Sequence, residues 1–317
     1  MSVRIAQNNE KDPNKDTEDL SKLGAEVKTL DFNKLMGAGV LHTKLWVIDE
    51  KHFYVGSANF DWRSLTQVKE VGVLVEDCEC LARDMIKIWS VYWDLGGEES
   101  IPDHWPDSYS ANINSDSPLV LTRDHNSSVY LSSSPPAFCP PGREVDIDAI
   151  IKTIHSAQEF IYIAVMDYFP STIYEQDTTF WPVIDDALRT AALERGVRVR
   201  LLASHWPHTR PSMIRFLRSL ADLAGVSPMI DIQVKMFTVP SFTPDQEKIP
   251  FARVNHNKYM VTDQHGFIGT SNWSADYFIS TGGIGFVIQG EIRKQLENIF
   301  LRDWTSSYAH NLPSSEY

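Results

Sequence analysis

His42 and Lys44 are followed by Asp49, and His256 and Lys258 by Asp263, so the pattern H-x-K-x-x-x-x-D occurs twice with identical spacing. Each copy leads into a glycine turn, Gly56-Ser57-Ala58-Asn59 and Gly269-Thr270-Ser271-Asn272. A single H-x-K triplet arises by chance in many chains. Two copies with matched downstream turns describe one site assembled from two halves. These residue types suit a phosphodiester, whose anionic oxygens repel nucleophiles and whose alkoxide leaves poorly. Two lysines held as point charges neutralise the non-bridging oxygens. Asn59 and Asn272, the turn amides at Gly56 and Gly269, and the Ser57 and Thr270 hydroxyls add donors. Two histidines divide the rest. One attacks phosphorus to form a phosphohistidine; the other protonates the leaving oxygen and later activates water. Nothing in that scheme calls for a metal or a cofactor.

Both motifs fall in strand-like runs, Leu41 to Asp49 and Lys258 to Thr262. Alternation along a strand puts His42 and Lys44 on one face, and His256 and Lys258 likewise. Asp49 and Asp263 stand seven residues from their histidines, an odd separation that turns them to the far side as strand anchors. A nucleophilic histidine needs an acceptor on its other ring nitrogen. Glu70, at the entrance of the apolar run Val71–Val75, is placed to reach His42. The second half has no acid between Asp276 and Glu291, only Ser280 and Thr281 at the comparable place. His42 is therefore expected as nucleophile and His256 as general acid. The nearby Trp46 and Trp62 read as core, Trp62 being the one that could stack on a base.

The strings Gly39-Val40-Leu41-His42-Thr43-Lys44, Gly56 through Glu70, and Val254-Asn255-His256-Asn257-Lys258-Tyr259 carry a family resemblance. The chain resembles the phospholipase D superfamily, whose tandem domains share one active site. It is most similar to the animal branch of membrane-anchored, endolysosomal members, acid 5′-exonucleases on single-stranded DNA and RNA. That resemblance implies a metal-independent phosphohistidine mechanism on His42, Lys44, Asn59, His256, Lys258 and Asn272. Some relatives in the branch are linked to phospholipid transphosphatidylation, so a phospholipid stands as the alternative substrate. It also implies a lumenal location, with a membrane anchor only in a longer form.

The duplication reaches the elements that must position these residues. Ser2-Val3-Arg4-Ile5 echoes Gly196-Val197-Arg198-Val199, and Glu26-Val27-Lys28 echoes Gln233-Val234-Lys235. After each motif come a strand, Val71–Val75 or Gly283–Ile288, and an amphipathic helix, Leu81–Trp93 or Ile292–Trp304. The pattern predicts an α/β fold of two tandem phospholipase D-like halves, each a mixed sheet flanked by helices. The halves are read as residues 1–95 and 143–317, joined by a connecting segment 96–142. Its Pro/Ser-rich stretches Ile101–Ser117 and Ser132–Pro141 read as surface, with a short strand near Leu119–Thr122. The second half carries a strand, Phe160–Met166, and a helix, Val183–Glu194, with no counterpart ahead of Ser2. The first half is thus expected to be incomplete at its N-terminus and to expose apolar surface. A catalytically silent fragment with a binding or regulatory role is the reading of another class.

Composition bounds the rest. The 43% apolar and 22% charged content is that of a globular chain, and no apolar run approaches the roughly 18 residues of a spanning helix. Met1-Ser2-Val3-Arg4 does not begin a signal peptide. Cys78, Cys80 and Cys139 suit no zinc site; Cys78 and Cys80 are poorly placed to pair, and Cys139 either bridges to one of them or stays a thiol. Asn126-Ser127-Ser128 is a glycosylation candidate, and so by pattern is Asn272-Trp273-Ser274, where a glycan would block the site. A net charge of −13 opposes indiscriminate binding of polyanions at neutral pH. Charging the ten histidines moves it to −3, which fits work in an acidic compartment. Self-association into a homodimer is left open.

Overall fold

The computed structural model describes residues 2–12, 14–121, 127–175 and 177–313. Asn126, the glycosylation candidate, lies outside the described residues. The first half runs β1 (Arg4–Asn8), α1 (Lys15–Lys22), β2 (Glu26–Leu30), α2 (Phe32–Met36), β3 (Leu45–Ile48) and β4 (His52–Gly56). It continues through α3 (Trp62–Thr66), β5 (Gly72–Val75) and the long helix α4 (Glu79–Leu95). Next come β6 (Leu119–Leu121), β7 (Ser127–Ser134), β8 (Glu144–Val145), α5 (Asp146–Ser156), β9 (Phe160–Val165) and α6 (Val183–Arg195). The chain then forms β10 (Arg198–Ser204), α7 (Pro211–Ala221), β11 (Ile232–Phe237), α8 (Pro244–Glu247), β12 (Lys258–Thr262) and β13 (His265–Gly269). It closes with α9 (Ala275–Ile279), β14 (Gly283–Gln289), α10 (Arg293–Trp304) and β15 (Ala309–Asn311).

Ten strands form one mixed sheet in the order β15-β11-β10-β9-β12-β13-β14-β7-β6, with β8 beside β7. β9, β10 and β11 are parallel, joined by α6 and α7, and β12 turns antiparallel against β9. The unbroken apolar run of β9, Phe-Ile-Tyr-Ile-Ala-Val, is buried along its whole length because both faces are covered. On one face α5, α6 and α7 pack Ile150, Leu188, Met213 and Leu217 over Ile163, Leu201 and Met260. On the other, α10 and the first half supply Phe300, Phe53 and Met85 against Tyr162, Tyr259 and Phe286. Phe53 and Phe286 bring their rings to 6.2 Å across the two halves. Full burial of each such ring stabilises by roughly 1.5–3 kcal/mol, so a shared core joins the halves.

The first half departs from the expected single mixed sheet. β1 and β2 form a separate parallel pair, and β3, β4 and β5 an antiparallel sheet of their own. In the second half β9 fills the corresponding position, between β10 and β12. Among the described residues nothing stands there between β1 and β3. The outer face of β3–β5 is uncovered accordingly: Trp46, Ile48 and Leu74 are 40%, 53% and 62% exposed. Their counterparts Met260 and Val287 lie under α5 at 0% and 1%. Trp46 and Trp62, expected in the core, are both at the surface: Trp46 on the uncovered face of β3 and Trp62 at the start of helix α3.

Ser132 to Pro141, expected at the surface, is the other correction. Ser132, Ser133 and Ser134 are buried in β7, a full-length partner of β14. Their hydroxyls find internal acceptors, as Ser132 does on Asp146 at 2.6 Å, so the polarity that suggested a loop is satisfied inside. The three cysteines are thiols, with Cys139 donating to the Ser133 carbonyl and Cys78 and Cys80 sulfurs 3.8 Å apart. Among the described residues no helix is long and apolar enough to cross a membrane.

Uncovered rings on a sheet face predict weak self-association. Trp46→Thr combined with Leu74→Thr should lower concentration-dependent sedimentation and dye binding, with the thermal unfolding temperature little changed. An unaltered chain that stays monodisperse and binds no hydrophobic dye would contradict this.

Candidate active site

The two motifs meet because each half offers the other a strand partner. Leu41 bridges to Gly282 and Asn255 to Lys69, both in parallel. The His42 amide donates to the Gly282 carbonyl at 2.9 Å, and the His256 amide to that of Lys69 at 2.9 Å. Gly282 returns a bond to Val40 and Lys69 one to Val254. Lys69 and Gly282 are counterparts in the repeat, so the arrangement has two-fold character. The regular strands begin only beyond the histidines, at Leu45 and Lys258. His42 and His256 are therefore held in lead-in segments that pair across the halves, and not inside a strand as the apolar runs implied.

Each lysine folds back on its own motif: Lys44 Nζ donates to the His42 carbonyl at 2.5 Å, Lys258 Nζ to that of His256 at 2.6 Å. Each histidine has its Nδ1 engaged. That of His42 donates to the Thr270 carbonyl at 2.9 Å, which leaves Nε2 unprotonated in the neutral ring. That of His256 lies 2.9 Å from both oxygens of Glu70. Glu70 thus serves the histidine of the opposite half, which corrects the expectation that it reaches His42. The crossing backbone explains this, since Lys69 is paired with Asn255 and carries its neighbour toward His256. The counterpart of Glu70 is Gly283, not Ser280 or Thr281. A Cβ there would sit 2.2 Å from Ser271 Oγ and 2.8 Å from Ser134 Oγ, so no acid fits opposite His42.

Burial dominates the electrostatics. It holds His42 well below its ordinary 6.5, with Lys44, Lys258 and His256 acting in the same direction. His256 is lowered by burial, then by Lys258 and Lys44. Lys44 is pushed far down by burial and by Lys258, and burial brings Lys258 to about 7 against the pull of Glu70 and Asp167. Burial also raises Glu70, with Lys258 and the Ser57 and Ser64 hydroxyls opposing. Four groups that gain from a nearby anion are thus crowded into one space.

The remaining predicted residues divide. Ser57 Oγ donates to the Val71 carbonyl and accepts its amide, while Thr270 Oγ1 accepts the Ile284 amide. Both hydroxyls thus brace the strand that follows, Ser57 by donating and accepting and Thr270 by accepting alone. Gly56 and Gly269 end β4 and β13 beside β5 and β14; a Cβ on Gly56 would lie 2.4 Å from Gly72 Cα. Asn272 is buried and donates to the Tyr277 hydroxyl at 3.1 Å, whereas Asn59 is exposed. Asp263 Oδ1 caps the amides of Gln158 and Glu159 at 3.0 Å each and so anchors the start of β9. Among the described residues Asp49 caps no such segment, and it stands exposed in a turn at φ 51°.

Two residues outside the motifs also border the cluster. Tyr277 sets its ring edge-on to His42, centroids 4.9 Å apart, and no sequence signal marks it. Asp167 opposes Lys258 from just beyond the carboxyl end of β9, the end at which α/β sheets gather their ligands; that position was a usable signal.

Two H-x-K-x-x-x-x-D halves that cross-pair around one buried cluster of two histidines and two lysines define the phospholipase D type of fold. The PLD3/4, PLD-like domain family matches residues 3–242. The chain belongs to that family. A Rattus norvegicus protein named 5′-3′ exonuclease PLD3 is 50% identical over 321 residues, 99% of this chain and 65% of its own length. A Mus musculus 5′-3′ exonuclease PLD4 is 45% identical, covering 94% of this chain and 61% of its own length. The chain thus spans less than two thirds of the length of these curated relatives. A phosphatidylserine synthase from Haemophilus influenzae has the same fold, with a TM-score of 0.62 at 14% identity over 94% of this chain and 68% of that one.

An anion at this cluster should raise the depressed histidine and lysine pKa values, so its binding takes up protons and strengthens as pH falls. Sulfate, whose own charge is constant, should bind at least about tenfold tighter at pH 6 than at pH 8 by calorimetry. A pH-independent affinity would count against an anion site at the cluster.

Proposed function

We propose that the chain is a phosphodiesterase that cleaves single-stranded nucleic acid from its 5′ end through a phosphohistidine on His256. The Glu70–His256 contact carries the assignment. With Nδ1–H held on the carboxylate, Nε2 presents its lone pair to phosphorus and the growing imidazolium charge is stabilised. The P–N bond forms as the P–O bond to the leaving group breaks, and protonated His42 gives that oxygen its proton. His42, now neutral, takes a proton from water; the hydroxide attacks phosphorus, the P–N bond breaks and a phosphomonoester leaves. Lys44 and Lys258, with Asn59 and Asn272, neutralise the non-bridging oxygens throughout. The lysines supply the charge, so no step is routed through a metal. These roles reverse the expectation that His42 is the nucleophile, because the acid that supported it serves His256 instead.

A phospholipid presents the same diester, and the relatives named as exonucleases favour the nucleic-acid reading. An acidic, lumenal setting suits the chemistry as well. His42 must be protonated to act as an acid, and its pKa is held below 6.5. His256 must be neutral to attack, and its lowered pKa keeps it so in acid.

Turnover of a single-stranded oligonucleotide should therefore fall as pH rises from about 5 to 8; a flat profile would refute the division of roles. His42→Ala should accumulate phosphohistidine at position 256 with a nitrophenyl diester, whose leaving group needs no acid. His256→Ala should form none. Glu70→Gln should lower kcat by about 10²- to 10⁴-fold with KM little changed. Phosphate found on His42, or no phosphohistidine in either variant, would overturn the mechanism.

A further inference from the structure

Three rings stand in a row between the loop after β10 and the segment that leads into His256. Trp206 and His208, in the loop that leaves β10, have centroids 4.6 Å apart, and His208 stacks on Phe251 at 4.8 Å with 14° between planes. Phe251 is 61% exposed. It also holds φ at 54°, as does Arg253, in a region that bulky residues rarely enter. Contacts from the first half pin this strained segment. Arg63 Nη1 donates to the Pro250 carbonyl at 3.2 Å, and the Arg253 amide to that of Gln67 at 3.1 Å. The Arg253 guanidinium also reaches the Gln67 side chain. Strain of this kind persists only where the surroundings over-determine it, and it gathers at ligand clamps. Here it turns a large apolar ring toward water, which core packing would not require.

Short links join the ledge to the motif residues. Ser204, at the end of β10, accepts the amide of Asn255, the residue before His256, at 3.2 Å. Arg210, in the same loop as His208, donates to Ile173 at 3.0 Å, lies 5.2 Å over the Tyr174 ring and faces Asp167. We propose that the Phe251–His208 face is a stacking subsite for an unpaired base of the strand whose scissile phosphate lies between His42 and His256. This rests on the nucleic-acid reading above. A base presents a flat π face to exposed parallel rings and needs no enclosure, and stacking tolerates any base. An acyl chain gains by being enclosed, which two rings open to solvent do not provide.

Binding of a single-stranded oligonucleotide and of an abasic backbone of equal length separates stacking from phosphate attraction. The unaltered chain should prefer the base-bearing strand by about tenfold. Phe251→Ala and His208→Ala should each shrink that preference while leaving turnover of bis(p-nitrophenyl) phosphate, which carries no nucleobase, unchanged. Phe251→Tyr should retain it. An undiminished preference in both alanine variants would overturn the subsite, as would a loss of binding confined to phosphatidylglycerol vesicles. If the unaltered chain turns over no small diester, the catalytic reading fails, and the binding preference still decides the ledge.

Discussion

The His42 amide is bound to Gly282 and the His256 amide to Lys69, and the geometry of the site follows from this reciprocal pairing. Neither half can orient its histidine alone, since the acceptor lies on the other polypeptide segment. Two such bonds are individually modest, about 0.5–1.5 kcal/mol each in net terms. The shared core of Phe53, Phe286, Tyr259 and their neighbours holds them in place. Large apolar burial supplies the stability, and a few directional bonds set the register.

That register has a chemical consequence. The residue after Lys69 is Glu70 and the residue after Gly282 is Gly283, so one histidine meets a carboxylate and the other a carbonyl. A near-symmetric scaffold thereby yields two unlike imidazoles. Burial, and then the same pair of lysines, lowers the pKa of both. The chain as a whole carries a formal charge of −13, whereas two lysines and two histidines gather at the motifs. Such a contrast favours a phosphate in one place over polyanion binding everywhere.

The asymmetry between halves extends to their outer faces. In the second half β9 and α5 complete the sheet and bury Met260 and Val287; beside β3 the first half leaves Trp46, Ile48 and Leu74 in water. The same difference accounts for the two motif acids. Asp263 caps the amides that open β9, while Asp49, an identical residue at an identical spacing, caps nothing comparable among the described residues. A repeat in sequence is therefore not a repeat of contacts, because the partner of a motif residue can come from an element described in one half alone.

The duplicated spacing alone determined the residues that converge and the class of ester they suit, since H-x-K on extended backbone fixes which side chains travel together. Strand and helix assignments around the motifs were legible for the same reason: apolar periodicity reports burial on one face. Beyond that, local pattern was silent. That Glu70 serves His256, that Ser132 to Ser134 run through the interior and that Tyr277 touches His42 are all contacts between segments far apart in the chain. Parity along a strand says which way a side chain points, but not which strand lies across from it. Only the packing of two sheets into one core decided that.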